Sequence, residues 1–157
     1  MTVYLALGTN LGDRHFNLQE TLLLIAGKIG NFSAISSVYE TEPWGFESEN
    51  KFLNQVVAVE TDLSPLEILR QTQEIERQIG RKKKTVHSYQ DRLIDVDLIL
   101  YDNIILNTNE IQLPHPLFHQ RRFVLEPLNE IAAGVVHPVL GKTVAQLLGE
   151  CLVSPAT

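Results

Sequence analysis

Apolar positions along the chain fall into short runs separated by turn-forming residues. Residues 3–7 form an apolar run that predicts a strand, ending at Gly8-Thr9-Asn10-Leu11-Gly12, a turn-forming stretch. Asp13 then stands where a helix N-cap belongs. The helix is predicted to reach about Lys28, with Phe16, Leu22, Leu23, Ile25 and Ile29 inward. Residues 32–40, β-branched and serine-rich, predict a second strand. Residues 41–51 hold Pro43, Trp44 and Gly45 and predict a loop, and residues 52–60 a third strand. Ser64-Pro65-Leu66-Glu67 is a helix start: a Ser cap, Pro at the first helical position and Glu three residues after the cap. That helix is expected to stop at Gly80. A basic loop, 81–91, leads into a fourth strand at 92–101, and a short fifth strand follows at 104–106. Pro114, Pro116 and Pro127 then break the chain into short pieces until a last helix after Thr143.

The predicted order is β-α-β-β-α-β with extra C-terminal elements. This is an α+β, ferredoxin-like plan: an antiparallel sheet with helices on one face and the other face open for a ligand. No repeat or low-complexity linker interrupts it, so residues 1–157 predict a single domain. That length supports a core, and 44% hydrophobic with 20% charged residues is ordinary for a soluble globular protein. A net charge of −6 argues against a general nucleic-acid binder but leaves room for a local anionic site. The single Cys151 forms no internal disulfide and fits a reducing cytoplasm. No signal-like N-terminal run or bilayer-length apolar stretch is present. The expectation is a cytoplasmic protein that engages neither membrane nor nucleic acid.

One strand carries unusual chemistry. In Arg92-Leu-Ile-Asp95-Val-Asp97-Leu-Ile-Leu-Tyr101, the residues Ile94, Val96, Leu98 and Leu100 predict an apolar face, so Asp95 and Asp97 share the opposite one. Side chains at i and i+2 of a strand lie roughly 6.5–7 Å apart. Two neighbouring carboxylates on a greasy strand repel each other and lose solvation, which either a divalent cation or a salt bridge to Arg81 or Arg92 can offset. More than half of the 13 Lys and Arg, namely Arg70, Arg77, Arg81, Lys82, Lys83, Lys84 and Arg92, lie in or near the preceding loop. By themselves such charges are a solvated run. Beside a carboxylate pair they suggest a polyanion held through both metal and arginine, the arrangement that phosphoryl transfer uses.

Phe52 and Asn54 face the same side of their strand, close in sequence to the 41–45 loop. An aromatic ring plus an amide suits a flat heterocycle with polar edges, although a core Phe and a turn-stabilising Asn account for the same residues. His115 and His119 are four apart, but Pro114 and Pro116 oppose a regular helix across them, so a His-only zinc site is not expected. His115 near Arg121 reads as a phosphate contact or as a turn histidine. No P-loop or dinucleotide fingerprint is present. On the residues alone, a two-metal phosphohydrolase and a non-catalytic nucleotide-sensing module compete with a phosphoryl transferase; an RNA-binding sheet fits worst.

Taken in order, Leu7-Gly8-Thr9-Asn10-Leu11-Gly12, Tyr39-Glu-Thr41-x-Pro43, Phe52-Leu-Asn54, Arg92-x-x-Asp95-x-Asp97-Leu-Ile, Pro114-His115 and Arg121-x-Phe123 resemble the 6-hydroxymethyl-7,8-dihydropterin pyrophosphokinases of folate biosynthesis. The resemblance runs from Val3 to about Ile131. It implies a ferredoxin-like monomer that moves a diphosphate from ATP to the pterin hydroxymethyl group and releases AMP. It implies two Mg²⁺ ions on Asp95 and Asp97, and phosphate contacts from Arg81, Arg92, His115 and Arg121, with Arg81 and Arg92 stabilising charge during transfer. Lys83 would join the ATP-binding set, and Gln73 and Glu76 would line the nucleotide site. Thr41, Asn54 and the backbone around Trp44 would bond the pterin edge, Phe52 and Phe123 would sandwich its ring, Asn10 and the first turn would support the pocket, and the basic loop would close over the reactants. The chain departs from the family pattern at Ser88-Tyr89-Gln90-Asp91, with Tyr89 where a Trp often stands, and at Lys83, where Arg is common. Glu110, Gln112 and Pro116 stand where nucleotide-contacting Arg, Thr and Tyr can occur, and no contact is carried over to them.

Overall fold

The structure, a computed structural model, describes residues 1–42, 50–81 and 93–153, with Arg81 by its backbone alone. It is a mixed assembly of helices and antiparallel sheet. The order is β1 (Thr2–Thr9), α1 (Arg14–Lys28), β2 (Asn31–Ile35), β3 (Tyr39–Thr41), β4 (Phe52–Glu60), α2 (Pro65–Arg81) and β5 (Asp95–Tyr101). Then come β6 (Leu106–Asn107), β7 (Gln112–Leu113), a 3-10 turn (Phe118–Gln120), α3 (Arg122–Ala132) and α4 (Val144–Val153). The strands lie in the order β2-β4-β1-β5, with β3 also on β4, and every neighbouring pair is antiparallel. β6 and β7 form a separate two-stranded ribbon.

Local chemistry sets the helix starts. The Asp13 carboxylate accepts from the Phe16 N–H at 3.1 Å. Ser64 and Glu67 make a reciprocal capping box at 2.9 and 3.2 Å, and Thr143 with Gln146 makes a second at 2.8 and 3.1 Å. Gly12 supplies the positive φ of 69° that the turn after β1 needs.

Several expectations are corrected. The predicted second strand is two strands, because Ser36, still bonded to Val56, takes the Val56 N–H on its hydroxyl oxygen instead of its carbonyl, and regular pairing with β4 resumes only at Tyr39. Gly80 does not end α2, which still includes Arg81; a glycine without positive φ is only a weaker helix former there. Pro127 does not break the C-terminal part: α3 runs through it, surrendering one N–H bond while its ring is buried. In α1 the inward face is Asn17, Leu18, Thr21 and Ile25. Phe16 and Leu23 are instead 47% and 72% exposed, since apolar residues surround this helix and period alone does not choose a side.

The sheet has two unequal faces. Val3, Leu5 and Leu7 of β1, Leu53, Val57 and Val59 of β4 and Val96 and Leu98 of β5 pack on α1 and α2 through Leu18, Ile25, Ile68, Ile75 and Ile79. The opposite face, expected to be free of helices, is half covered. Val56, Ile99 and Leu100 pack there with Val124, Leu125 and Leu128 of α3 and Leu147 of α4. Leu100 reaches that side through a register shift between β1 and β5. Leu5 pairs with Leu98 and Tyr4 with Leu100, so Ile99 is the extra residue. An inserted residue reverses strand parity beyond it, which moves Leu100 off the face of Val96 and Leu98.

Candidate active site

The uncovered half of the second face holds a cavity of about 220 Å³. Gly8, Thr41, Phe52, Asn54, Asp95, Asp97, Arg121 and Phe123 line it. Sheet register explains the grouping: Gly8 lies opposite Asn54 on one side and Asp95 on the other, and Ala6 lies opposite Asp97. Gly8 forms the floor, a position the sequence suggested only as part of a turn. A Cβ there would stand 3.5 Å from the Asn54 Oδ1 and 3.6 Å from the Phe52 ring, taking up ligand space. Asn54 donates through Nδ2 to the Thr41 hydroxyl at 2.6 Å. That bond leaves the Asn54 carbonyl oxygen to accept and the Thr41 O–H to donate, a complementary pair at the cavity edge. On the far wall, the Arg121 guanidinium lies 5.8 Å from the centre of the Phe123 ring.

Asp95 and Asp97 are half-buried on the cavity side of β5, while Ile94, Val96 and Leu98 are buried on the other. Behind them, Glu76 of α2 accepts from the Val96 N–H at 2.8 Å. Burial raises the Glu76 carboxyl well above the usual range; the charges of Asp95 and Asp97 and a hydrogen bond with Asp95 push in the same direction, against the lowering effect of the Val96 bond. Three carboxyl groups thus crowd one strand end. Among the described residues no cluster of three or more His, Cys, Asp and Glu side chains makes a complete metal cage. Two carboxylates are nevertheless what Mg²⁺ usually takes from a protein, with waters and substrate phosphates completing its shell.

A buried polar network fixes the start of this strand. The Thr9 hydroxyl donates to the Leu93 carbonyl at 2.6 Å, and the Asn17 amide donates to the same oxygen at 3.1 Å and to the Leu11 carbonyl at 3.0 Å. Thr9 and Asn17 are both buried. The turn after β1 and the entry to the Asp strand are therefore tied to one point. The sequence carried a signal for this: Asn17 and Thr21 are polar, four apart, on the same side of α1 as Leu18 and Ile25.

Asp97 also lines a second, broader cleft, with His115, Leu69 and the β6–β7 ribbon. The His115 Nδ1 accepts from the Leu117 N–H at 3.1 Å, so a neutral ring carries its proton on Nε2. Burial, then the charge of Arg121, lowers its pKa to about 4. His115 is accordingly a neutral donor at pH 7, one that can bond a phosphate oxygen without adding charge. Gln73 is exposed on α2 and lines neither cavity. Trp44, Lys83 and Arg92 lie outside the described residues, and Arg81 is the last described residue of α2.

The chain has counterparts among known proteins. Residues 4–133 match the model of the family described as 7,8-dihydro-6-hydroxymethylpterin-pyrophosphokinase (HPPK). A 2-amino-4-hydroxy-6-hydroxymethyldihydropteridine pyrophosphokinase of Porphyromonas gingivalis is 46% identical over 138 residues, covering 87% of this chain and 93% of the relative. An enzyme of the same name from Aquifex aeolicus is 36% identical over 157 residues, 98% of this chain and 94% of its own. Among solved structures, a Plasmodium falciparum HPPK-DHPS superposes with a TM-score of 0.77 at 16% identity. It covers 97% of this chain, which spans 43% of that longer protein, and at this identity the likeness is one of fold. By its family match and its close relatives, the chain belongs to the 7,8-dihydro-6-hydroxymethylpterin-pyrophosphokinase family.

Proposed function

We propose that this chain transfers the terminal diphosphate of ATP to the hydroxymethyl oxygen of 6-hydroxymethyl-7,8-dihydropterin, releasing AMP, as a step of folate biosynthesis. The observation that carries the reading is that one cavity joins an aromatic pair, an amide–hydroxyl edge and a carboxylate pair, and shares Asp97 with a second cleft beside His115. Phe52 and Phe123 would stack on the pterin ring; the Asn54 carbonyl oxygen and the Thr41 hydroxyl would meet its donor and acceptor edge. Trp44 would join that edge through its backbone. The triphosphate would lie in the second cleft, with Asp97 between the two substrates. His115 through Nε2–H and Arg121 would hold phosphate oxygens, and Arg81, Lys83 and Arg92 would complete the nucleotide side, with Glu76 behind it at Asp95 and Gln73, which lines neither cavity, outside it.

The pterin hydroxyl oxygen attacks the β-phosphorus, the hydroxyl gives its proton up to solvent, and the Pα–O–Pβ bridge breaks with its oxygen leaving on AMP. Asp95 and Asp97 are the residues that would hold two Mg²⁺ ions. When bound, Mg²⁺ neutralises phosphate charge and makes the attacking oxygen more nucleophilic. The chain's own part is placement: the pterin walls set the angle of attack, and Gly8 leaves room for the ring. Glu76 orients Asp95 from behind.

The β1-α1-β2-β3-β4-α2-β5 order, with β2 and β3 one after the other along β4 as one split strand, and the β2-β4-β1-β5 arrangement support a ferredoxin-like core within one domain. No helix among the described residues is long and apolar enough to cross a membrane. We read the protein as a cytoplasmic monomer acting on small molecules. The test is AMP formation from ATP with and without the pterin and Mg²⁺. Dependence on both is expected; phosphate released from ATP without any pterin would support a two-metal hydrolase instead.

A further inference from the structure

The two walls of the pterin cavity belong to different parts of the fold. One wall, Thr41, Phe52 and Asn54, comes from β3 and β4; the other, Arg121 and Phe123, comes from the start of α3. β4 is fixed by partners on both sides, whereas β3 is three residues long and, among the described residues, pairs with β4 alone. A strand this short supplies few ladder bonds and tends to fray, so Thr41 needs support from elsewhere.

Two side chains from outside the sheet supply it: Arg14 of α1 pairs with Glu40 at 3.0 Å, and on the α3 side one carboxylate does the holding. Both oxygens of Glu130 accept from the Ser37 N–H, at 3.1 and 3.0 Å. Its Oε2 also accepts from the Ser37 hydroxyl at 3.1 Å, and its Oε1 from the Tyr39 hydroxyl at 2.7 Å. The placement repeats that of the cavity. Tyr39 and Thr41 are two apart, so they share a strand face, with Tyr39 opposite Asn54 and Thr41 opposite Phe52. Phe123 and Glu130 are seven apart, so they share a helix face about 10.5 Å apart along the axis. The Tyr39–Glu130 bond therefore spans the same pair of walls as Thr41 and Phe123, one step further along. The charge state agrees with the geometry: the Tyr39 bond, followed by those of Ser37, holds the Glu130 carboxyl below its usual range, while the same carboxylate pushes the Tyr39 hydroxyl up to about 12.

We propose that Glu130 is a positioning residue for pterin: by clamping β3 to α3 it sets the spacing between the Thr41 edge and the Phe123 ring. The inference rests on the pterin reading of the cavity. Glu130 touches no reactant and lies outside the cavity lining. Its loss loosens one substrate site; the second cleft, lined from α2, β5, the β6–β7 ribbon and His115, contains no residue of β3 or α3.

The test compares Glu130→Ala, Glu130→Gln and Tyr39→Phe with the unmodified protein. KM for each substrate is measured, together with pterin binding by calorimetry without ATP and the melting temperature. Glu130→Ala is expected to raise KM and Kd for the pterin about tenfold, the scale of losing charge-assisted hydrogen bonds. KM for ATP should stay within about twofold, since no bond to that cleft is removed. Glu130→Gln keeps an acceptor and should recover part of the affinity; Tyr39→Phe, which removes one bond and leaves the Glu130 carboxylate in place, should show a smaller change of the same kind. Unchanged pterin KM and Kd, or equal losses for both substrates, would show a merely structural role. If the unmodified protein neither binds pterin nor forms AMP, the reading of the cavity itself falls; if it does both and the variants match it, only the role of Glu130 falls.

Discussion

The two faces of the sheet differ in how they use the same strands. On the α1–α2 side, β1, β4 and β5 contribute aliphatic side chains to one continuous core. On the other side the same strands change role along their length. Near Tyr4 and Leu100 they pack beneath α3 and α4, and near Gly8 and Asp95 they floor a cavity. The Ile99 insertion marks the change on β5. Beyond it the strand feeds the second core, and before it the strand presents two acids. A fully packed face gives the rigidity, and a half-packed face spends that rigidity on holding polar groups in fixed relation.

This contrast predicts that substitutions on the first face change stability and those on the cavity change catalysis. The largest stability effect is expected for Leu5→Ala. Leu5 is fully buried, and truncation should cost about 2–5 kcal/mol in denaturant unfolding. A loss below about 1 kcal/mol would mean that this face is not the main source of stability. Phe52→Ala should cost about 1–3 kcal/mol of pterin affinity, the scale of a lost stacking partner, with a smaller change in melting temperature. An undiminished affinity would remove Phe52 from the sandwich.

His115 sharpens the comparison at the cavity's edge. Its pKa falls from 6.5 to about 4 on folding, so below pH 6.5 the unfolded chain takes up a proton that the folded one refuses. Its contribution to stability is present above pH 6.5 and is lost as the pH drops towards 4. His115→Gln should therefore flatten the pH dependence of unfolding within that window and leave it unchanged above pH 7. Parallel curves for the two proteins would place the titration elsewhere.

Much of this was legible in the sequence where the signal is local. Strand period two placed Asp95 and Asp97 together and away from Val96 and Leu98, and the Ser64–Glu67 box started α2 as read. Leu100 was misplaced because a bulge is a property of two strands, not one. Leu23 was misplaced because α1 is apolar on more than one side and only the sheet decides which is buried. Pro127 concealed α3, since a proline breaks a helix only when packing does not offset its cost, and α3 buries Val124, Leu125 and Leu128 around it. The cavity needed long-range register: no spacing in the sequence brings Gly8 between Asn54 and Asp95, or Glu130 to Tyr39.

The most direct test is Asp97→Ala, measured twice on the same preparation: AMP formation with pterin, ATP and Mg²⁺, and the melting temperature. Asp97 lies on the cavity side of the sheet and links the two clefts. Transfer should fall by about a hundred- to a thousandfold, the scale of removing a group that organises transition-state charge, while the melting temperature is held or rises. Near-normal AMP formation by that variant would contradict the assignment of the Asp strand to the chemistry.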